Sequence, residues 1–397
     1  MATYKEQNKL NVPHLRFSEF QGEWEKHGLS EYLDFKNGLN PDSKRFGKGI
    51  KFISVMDILN NPVITYDCIR ASVQATDAEI SSFSVENGDI LFQRSSETLE
   101  DVGRANVYID DRVAVFGGFV IRGKKKANYN PLFFRYLLSS PYARKRIIPM
   151  GAGAQHFNIG QEGLSKVLLN FPSIEEQTKI ASLLHLLDER IATQSKLIEK
   201  LESLIKGIVD STISCKPKNS TIGYVCSVSE QIKAVPNFDD IITVRLHGKG
   251  VCKSSVENLQ LGATQYYHRK AGQLIYGKQN FHNGAIGIVP ENLNNAITSK
   301  DIPSFDIKSS KCNPLYLLIQ LQSPHYYKPA ESLTTGTGSK RLKEETFLKM
   351  PIFLPDKERQ DSIATLISSI MMKLNKADKT LNLLIKQKQY LLRQMFI

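Results

Sequence analysis

Two stretches of the chain carry apolar residues at a helical period. The first runs through Ile180, Leu184, Leu187, Ile191, Gln194, Ile198, Leu201, Ile205 and Ile208 in steps that alternate four and three. The second runs through Ile363, Ile367, Ile370, Leu374, Ala377, Leu381, Leu384, Lys388 and Leu391 in the same register. A mean step of about 3.5 residues keeps one narrow stripe on one face, which is the seam of a coiled coil. Gln194 breaks the first stripe; Lys388 breaks the second and Ala377 softens it. Ser173 with Glu176 has the spacing of a capping box, and Asp356 after Pro355 suits an N-cap. A helix from Ser173 to Thr212 would be roughly 60 Å long. A surface helix packed on its own domain also shows a stripe. A seam this long and narrow asks for a partner helix, and the chain contains a matching one.

The stripes are part of a larger repeat. Phe171-Pro172-Ser173-Ile174-Glu175-Glu176-Gln177 matches Leu354-Pro355-Asp356-Lys357-Glu358-Arg359-Gln360 at the Pro, the first Glu and the Gln, at an offset of 183. The same offset carries Ile180-Ala181 onto Ile363-Ala364, Asn130-Pro131-Leu132 onto Asn313-Pro314-Leu315, Ser140-Pro141 onto Ser323-Pro324, and Gly153 onto Gly336. Self-similarity over half the chain means tandem duplication. The halves agree towards their ends and diverge earlier. One early trace is Asn87-Gly88-Asp89-Ile90-Leu91-Phe92 against Ala271-Gly272-Gln273-Leu274-Ile275-Tyr276, each a turn feeding a buried strand. The expected fold is α+β: two tandem mixed α/β domains separated by two long antiparallel coiled-coil helices, related by a pseudo-twofold. The expected boundaries are a variable domain at 1–167, a helix at 168–213, a second variable domain at 214–350 and a helix at 351–397.

The variable regions mix short β-rich runs with basic loops. In the first, Lys44, Arg45, Lys48 and Lys51 flank Phe46 and Phe52, Gln93-Arg94 follows a strand, Arg104 follows a glycine, and Arg122 to Lys126 is a basic run. In the second, Arg245, Lys249 and Lys253 surround a glycine turn, while Arg269 and Lys278-Gln279-Asn280 bracket a strand. Two glycine-containing loops occupy matching places. One holds Gly153, Gln155, His156 and Asn158; the other, Gly336-Thr337-Gly338-Ser339, leads into Lys340 and Arg341. Such a turn exposes N–H groups that suit a phosphate, and it is equally a plain structural turn.

Charge directs these residues to a partner. The chain has 397 residues and a formal net charge of +12. An excess of that size points to an anionic partner, nucleic acid first and an anionic membrane surface second. Lys and Arg neutralise phosphates without reading sequence, whereas Arg, Gln and Asn pair with base edges in the major groove. No run of apolar residues is long enough to span a bilayer, and Met1 to Leu10 is polar, unlike a signal peptide. The five cysteines are odd in number and widely spaced, which reads as a reduced cytoplasmic protein without a disulfide framework.

No catalytic pattern survives inspection. Asn130-Pro131-Leu132-Phe133 and Asn313-Pro314-Leu315-Tyr316 resemble the Asn-Pro-Pro-aromatic motif of amino-methyltransferases, but both lack the second proline. Asn as N-cap with Pro at the first helical position explains them as helix starts. Asp356-Lys357-Glu358 opens a helix and has no Asp or Lys counterpart at Ser173-Ile174-Glu175. His156 reads as a loop residue, and no metal-ligand spacing or phosphate-binding loop is present.

The Pro-x-x-Glu-x-Gln-x-x-Ile-Ala pattern at Pro172 to Ala181, repeated at Pro355 to Ala364, opens both helices downstream of a glycine loop. With Pro13-His14-Leu15-Arg16-Phe17 and Gly22-Glu23-Trp24, this doubled arrangement resembles the specificity subunit of type I restriction–modification enzymes across essentially the whole chain. The resemblance implies that each variable domain reads half of a split double-stranded DNA target and that the helices set the gap. It implies two methylation subunits docked on this chain and two ATP-driven motor–nuclease subunits. S-adenosylmethionine, ATP and Mg²⁺ would then sit in those partners, with no cofactor here. A stand-alone DNA-binding protein is the alternative.

Overall fold

The computed structural model describes residues 11–235, 237–254, 264–336 and 340–397. Met1 to Leu10, read above for a leader, lies outside them. The chain forms two compact units, one of Met1–Ser195 with Lys379–Ile397, the other of Lys196–Asp378. By packing, each long helix is shared between the units instead of forming a separate segment.

The first unit has two four-stranded sheets. One is antiparallel, in the order Leu33–Asn37, Val120–Lys125, Ile90–Gln93, Ala105–Val107. The other runs Ser72–Val73, Phe46–Ile53, Ala114–Phe116, Ser84–Val85, with the middle pair parallel. The Asn87-Gly88 turn feeds the fully buried strand Ile90–Gln93, and Gly88 takes the positive φ such a turn demands. Strand Glu25–Gly28 pairs with Leu168–Phe171, so the segment just ahead of the long helix is a strand, and the helix spans Ile174–Val209. A π-helical turn follows at Asp210–Ser214.

The second unit keeps one four-stranded antiparallel sheet, with shorter strands, and has a three-stranded sheet in place of the other among the described residues. Its antiparallel sheet runs Cys226–Val228, Ser304–Ile307, Leu274–Tyr276, Ile286–Ile288. Ser220–Thr221 pairs with Pro351–Ile352 just before the second long helix, Lys357–Gln394.

The duplicated signature has a shared physical basis. In the first unit the Gln177 side-chain oxygen accepts from the backbone N–H of Asn130 at 3.1 Å, and its amide donates to the Pro172 carbonyl at 3.0 Å. In the second, Gln360 accepts from Asn313 at 2.9 Å and donates to Pro355 at 2.9 Å. Asn130 caps helix Pro131–Ser139 by accepting from Phe133, and Asn313 caps Pro314–Leu321 by accepting from Leu315 and Tyr316. The Asn-Pro elements are therefore helix starts. Each buried Gln ties that start to the head of the long helix, where unpaired backbone groups would be costly.

The two helix starts differ in detail. Asp356 caps the second helix by accepting from the Arg359 N–H at 2.8 Å. At the first, the Glu176 N–H reaches Ser173 Oγ at 3.4 Å, but the Glu176 carboxylate turns away from the cap. It pairs with Arg16 at 2.7 and 2.8 Å and accepts from the Trp24 indole at 3.3 Å.

The apolar stripes are buried or half-buried throughout. In the first unit Ile180, Leu184, Leu187 and Ile191 share a core with Leu384, Leu391, Met395 and Phe396. In the second, Ile205, Ile208, Val209 and Ile213 share a core with Ile363, Ala364 and Ile367. The early part of one helix meets the late part of the other, and the reverse, so the helices run antiparallel. Ile370 is buried, while Ile198, Leu201, Leu374 and Leu381 are half-buried. In the first unit, Leu15 donates its N–H to the Gln394 carbonyl at 2.8 Å, and Trp24 meets Phe396 edge-on at 6.3 Å.

Candidate nucleic-acid interface

The candidate residues of the first unit separate into committed and available side chains. Arg45 forks onto Glu79, and that pairing, with the Thr76 N–H, holds the Glu79 carboxyl down at about 2. Lys51 donates to the Ile69 carbonyl at 2.6 Å and lies over the Tyr66 ring. Gln93 is buried and donates to the Ser95 carbonyl, which withdraws it from any surface role. Arg104 is exposed but pairs with Asp101 at 2.6 Å. Lys44, Lys48, Gln155 and His156 are exposed and have no side-chain partner among the described residues.

The structure gathers part of this set around Arg94. Its guanidinium donates to the Gly118 carbonyl at 3.3 Å, and its backbone joins Phe119 on one side and Ile159 on the other. Strand Ser95–Ser96 then pairs with Phe157–Asn158, and Ser95 Oγ donates to the Asn158 side chain. Arg94, Asn158 and the loop carrying Gln155 and His156 thus form one surface. Lys44 and Lys48 belong to a separate edge, where the strand Phe46–Ile53 breaks register.

The second unit corrects one assignment. Arg269 is fully buried and cannot meet a nucleic acid. Its guanidinium donates to Thr298 Oγ1 at 2.7 Å, Ser304 Oγ at 3.1 Å and the Ile302 carbonyl at 3.1 Å. Burial pulls its pKa down to about 10, so the charge is kept by these acceptors at a cost. Arg269 braces two sheets, joining the strand ending at His268 to those at Ile297–Ser299 and Ser304–Ile307.

The remaining candidates are at the surface. Arg245, Lys249 and Lys253 ride the hairpin of Ile242–Val244 and Val251–Lys253, whose turn needs positive φ at Gly248 and Gly250. Arg245 contacts the Cys252 sulfur at 3.0 Å; Lys249 and Lys253 have no side-chain partner among the described residues. Lys278 pairs with Glu344 at 2.9 Å, Asn280 accepts from Asn283 at 3.3 Å, and Gln279 is exposed. Lys340 pairs with Glu331 and Arg341 with Asp301, both at 3.2 Å.

The two glycine loops are closed at equivalent positions. A bridge of Ala152 with Asn158 closes the first, and one of Thr335 with Arg341 closes the second, at the repeat offset. Gly153 has φ +141, and a Cβ there would lie 2.0 Å from the His156 carbonyl oxygen. Gly336 repeats the positive φ; Thr337, Gly338 and Ser339 lie outside the described residues.

The sequence reading passed over Phe119 and Met56, large apolar side chains that stand exposed beside Arg94 and Phe46. The available signal was the Gly117-Gly118 pair, which lets the chain turn tightly as it passes from one sheet to the other, with the next side chain exposed. Among the described residues no group of His, Cys, Asp and Glu is placed to hold a metal ion, and no helix is long and apolar enough to cross a membrane.

Comparison with known proteins agrees with this architecture. A family model described as the type I restriction modification DNA specificity domain matches residues 21–203. The type I restriction enzyme MjaVIII specificity subunit of Methanocaldococcus jannaschii is 21% identical, over 93% of this chain and 90% of its own. A putative type I restriction enzyme MjaX specificity subunit from the same organism is 25% identical over 52% of this chain and 48% of its own. The crystal structure of a type I restriction-modification system S subunit from M. genitalium superposes with a TM-score of 0.62 at 13% identity, covering 97% of this chain and 99% of that one. A duplicated α/β unit closed by a long helix, a specificity-domain match on the first repeat and end-to-end likeness converge: residues 21–203 carry a type I restriction modification DNA specificity domain, and the whole chain is similar to type I restriction enzyme specificity subunits.

Proposed function

We propose that this chain directs a type I restriction–modification complex to its DNA target and performs no chemistry itself, as is the rule for specificity subunits. The observation that carries the reading is the doubling. The hydrogen bonds of Gln177 and Gln360 frame two equivalent units whose surface loops carry different residues. Each unit would read one half of a split target in the major groove. Because the loops differ, the halves would differ and the target would not be a palindrome.

The division of labour follows from side-chain chemistry. Lys44, Lys48, Lys249 and Lys253 would neutralise phosphates and set affinity and its salt dependence. Arg94, Asn158, Gln155 and Gln279 would supply donors and acceptors that distinguish bases. The two long helices would hold the half-sites about one turn of DNA apart, roughly 34 Å, and offer docking surface to two methylation subunits. Two motor–nuclease subunits would complete the complex. S-adenosylmethionine, ATP and Mg²⁺ would be bound by those partners, and the assembly would work on DNA in the cytoplasm.

The test is genome-wide mapping of adenine methylation in cells carrying this chain with a type I methylation subunit, against cells lacking only this chain. A split, asymmetric motif that disappears with the chain is expected. Unchanged methylation, with assembly demonstrated, would overturn the reading in favour of a stand-alone DNA-binding protein.

A further inference from the structure

We propose that the first unit carries an apolar pocket that receives the C5-methyl edge of a thymine, an inference that rests on the DNA-recognition reading above. Strands Ala114–Phe116 and Val120–Lys125 are joined by Gly117-Gly118-Phe119. A Cβ on Gly117 would lie 2.5 Å from the Phe52 ring, and one on Gly118 would lie 1.8 Å from Asn40 Oδ1. The turn is therefore pressed against its floor, and Phe119 projects outward with 68% of its surface exposed. Met56, 60% exposed, and Phe46, 43% exposed, stand around the same hollow. The hollow has a volume of about 450 Å³ and is floored by Leu39 and Phe52.

Three large apolar side chains left in water around one depression form a contiguous patch of the kind that marks a contact surface. The charges nearby indicate which contact. Arg94 grips the turn through the Gly118 carbonyl, Ser95 lines the wall, and exposed Lys44 and Lys48 flank Phe46 along the chain. An apolar hollow without a charge in its lining, but with cations bonded to its wall or adjoining Phe46 in the chain, suits a polyanion that offers an apolar group. In the DNA major groove that group is the thymine methyl. The hollow is wider than a methyl, so it accommodates the C5–C6 edge of the ring as well. Arg94 and Asn158, a few residues away along the paired strands, would take the polar edge of a neighbouring base.

The test uses the assembled complex with its methylation subunits and a target already established by methylation mapping. Each thymine of the half-site is replaced in turn by deoxyuridine, which removes only the methyl. At one position the wild-type complex should bind about fourfold more weakly, the loss expected for one buried methyl. Phe119→Ala or Met56→Ala should weaken binding to the thymine-containing site and show no further loss with deoxyuridine there. If no thymine of that half-site responds, or if Phe119→Ala keeps the full deoxyuridine penalty, the pocket does not read a methyl. If Phe119→Ala instead weakens assembly with the methylation subunits without DNA, the patch is a protein contact and the proposal is overturned. A failure to find any chain-dependent split motif would refute the DNA-recognition reading itself, and the pocket with it. The deoxyuridine series can remove the pocket alone.

Discussion

The Lys388 ammonium lies 2.5 Å from the Asp188 carboxylate, and this contact makes the one charge in the second apolar stripe part of the helix packing. Asp188 also accepts from the Tyr136 hydroxyl at 2.8 Å and from Arg135 at 3.2 Å. Removing the carboxylate strands a lysine and an arginine that are both largely shielded from water. Asp188→Ala should lower stability by about 3 kcal/mol, as for other broken buried pairs. Lys388→Met should cost well under half of that, because Asp188 keeps two partners. Urea unfolding of the three proteins measures both.

The same carboxylate predicts a pH dependence. Burial pushes the Asp188 pKa up, but Lys388, Tyr136 and Arg135 outweigh it, so the net shift is downward. A depressed pKa contributes stability that is fully present above the ordinary aspartate value, about 4, and is lost as pH falls through the lower folded value. Wild type should lose stability more steeply than Asp188→Asn as pH falls below about 4. Parallel curves for the two proteins would contradict the assignment.

Arg16 and Glu176, 160 residues apart in sequence, make the second test. Glu176 is 1% exposed, and Arg16 is the cation that balances it. Arg16→Ala should cost about 3 kcal/mol by leaving that carboxylate unpaired, and Arg16→Ala with Glu176→Gln should recover part of the loss. Thermal unfolding of the single and double variants is the measurement.

Arg269 and the surface lysines should separate stability from binding. Arg269→Ala removes a buried guanidinium and leaves Thr298 and Ser304 without a donor, so the unfolding midpoint should fall. Lys249→Ala or Lys253→Ala should leave the midpoint unchanged. Each should weaken binding evenly across DNA sequences and reduce the salt slope by about one. A sequence-dependent loss at either lysine would make it a base reader instead.

The long helices can be tested as a gauge. Deleting four residues, about one helical turn, within 181–206, together with four within 364–389, should shift or abolish the gap preferred between half-sites. Methylation mapping of the variant reads the gap directly, and an unchanged gap would sink the idea.

What the sequence displayed and what it concealed follow from distance along the chain. The stripes from Ile180 and Ile363 were legible because a helix folds periodicity into one face. Gln177 and Gln360 stood out as repeated letters, though their task, holding Asn130 and Asn313, appears only in three dimensions. The Asp188–Lys388 and Arg16–Glu176 pairs span 200 and 160 residues, and no local pattern announces them. Arg269 misled for a related reason. A guanidinium reads the same whether it faces solvent or a buried threonine, and its acceptors Thr298 and Ser304 lie 29 and 35 residues downstream.

The closing of the first unit by Leu15 on Gln394 and Trp24 on Phe396 bears on how the protein is made. A ribosome completes residues 1–195, then all of the second unit, before residues 379–397 exist to finish the first. The second unit is contiguous and can fold as it emerges, whereas the first must wait with Trp24, Leu184 and Leu187 uncovered. Residues 379–397 therefore close a core whose other members are made long before them. A chain that stops before residue 379 would leave that core open while its second unit is complete.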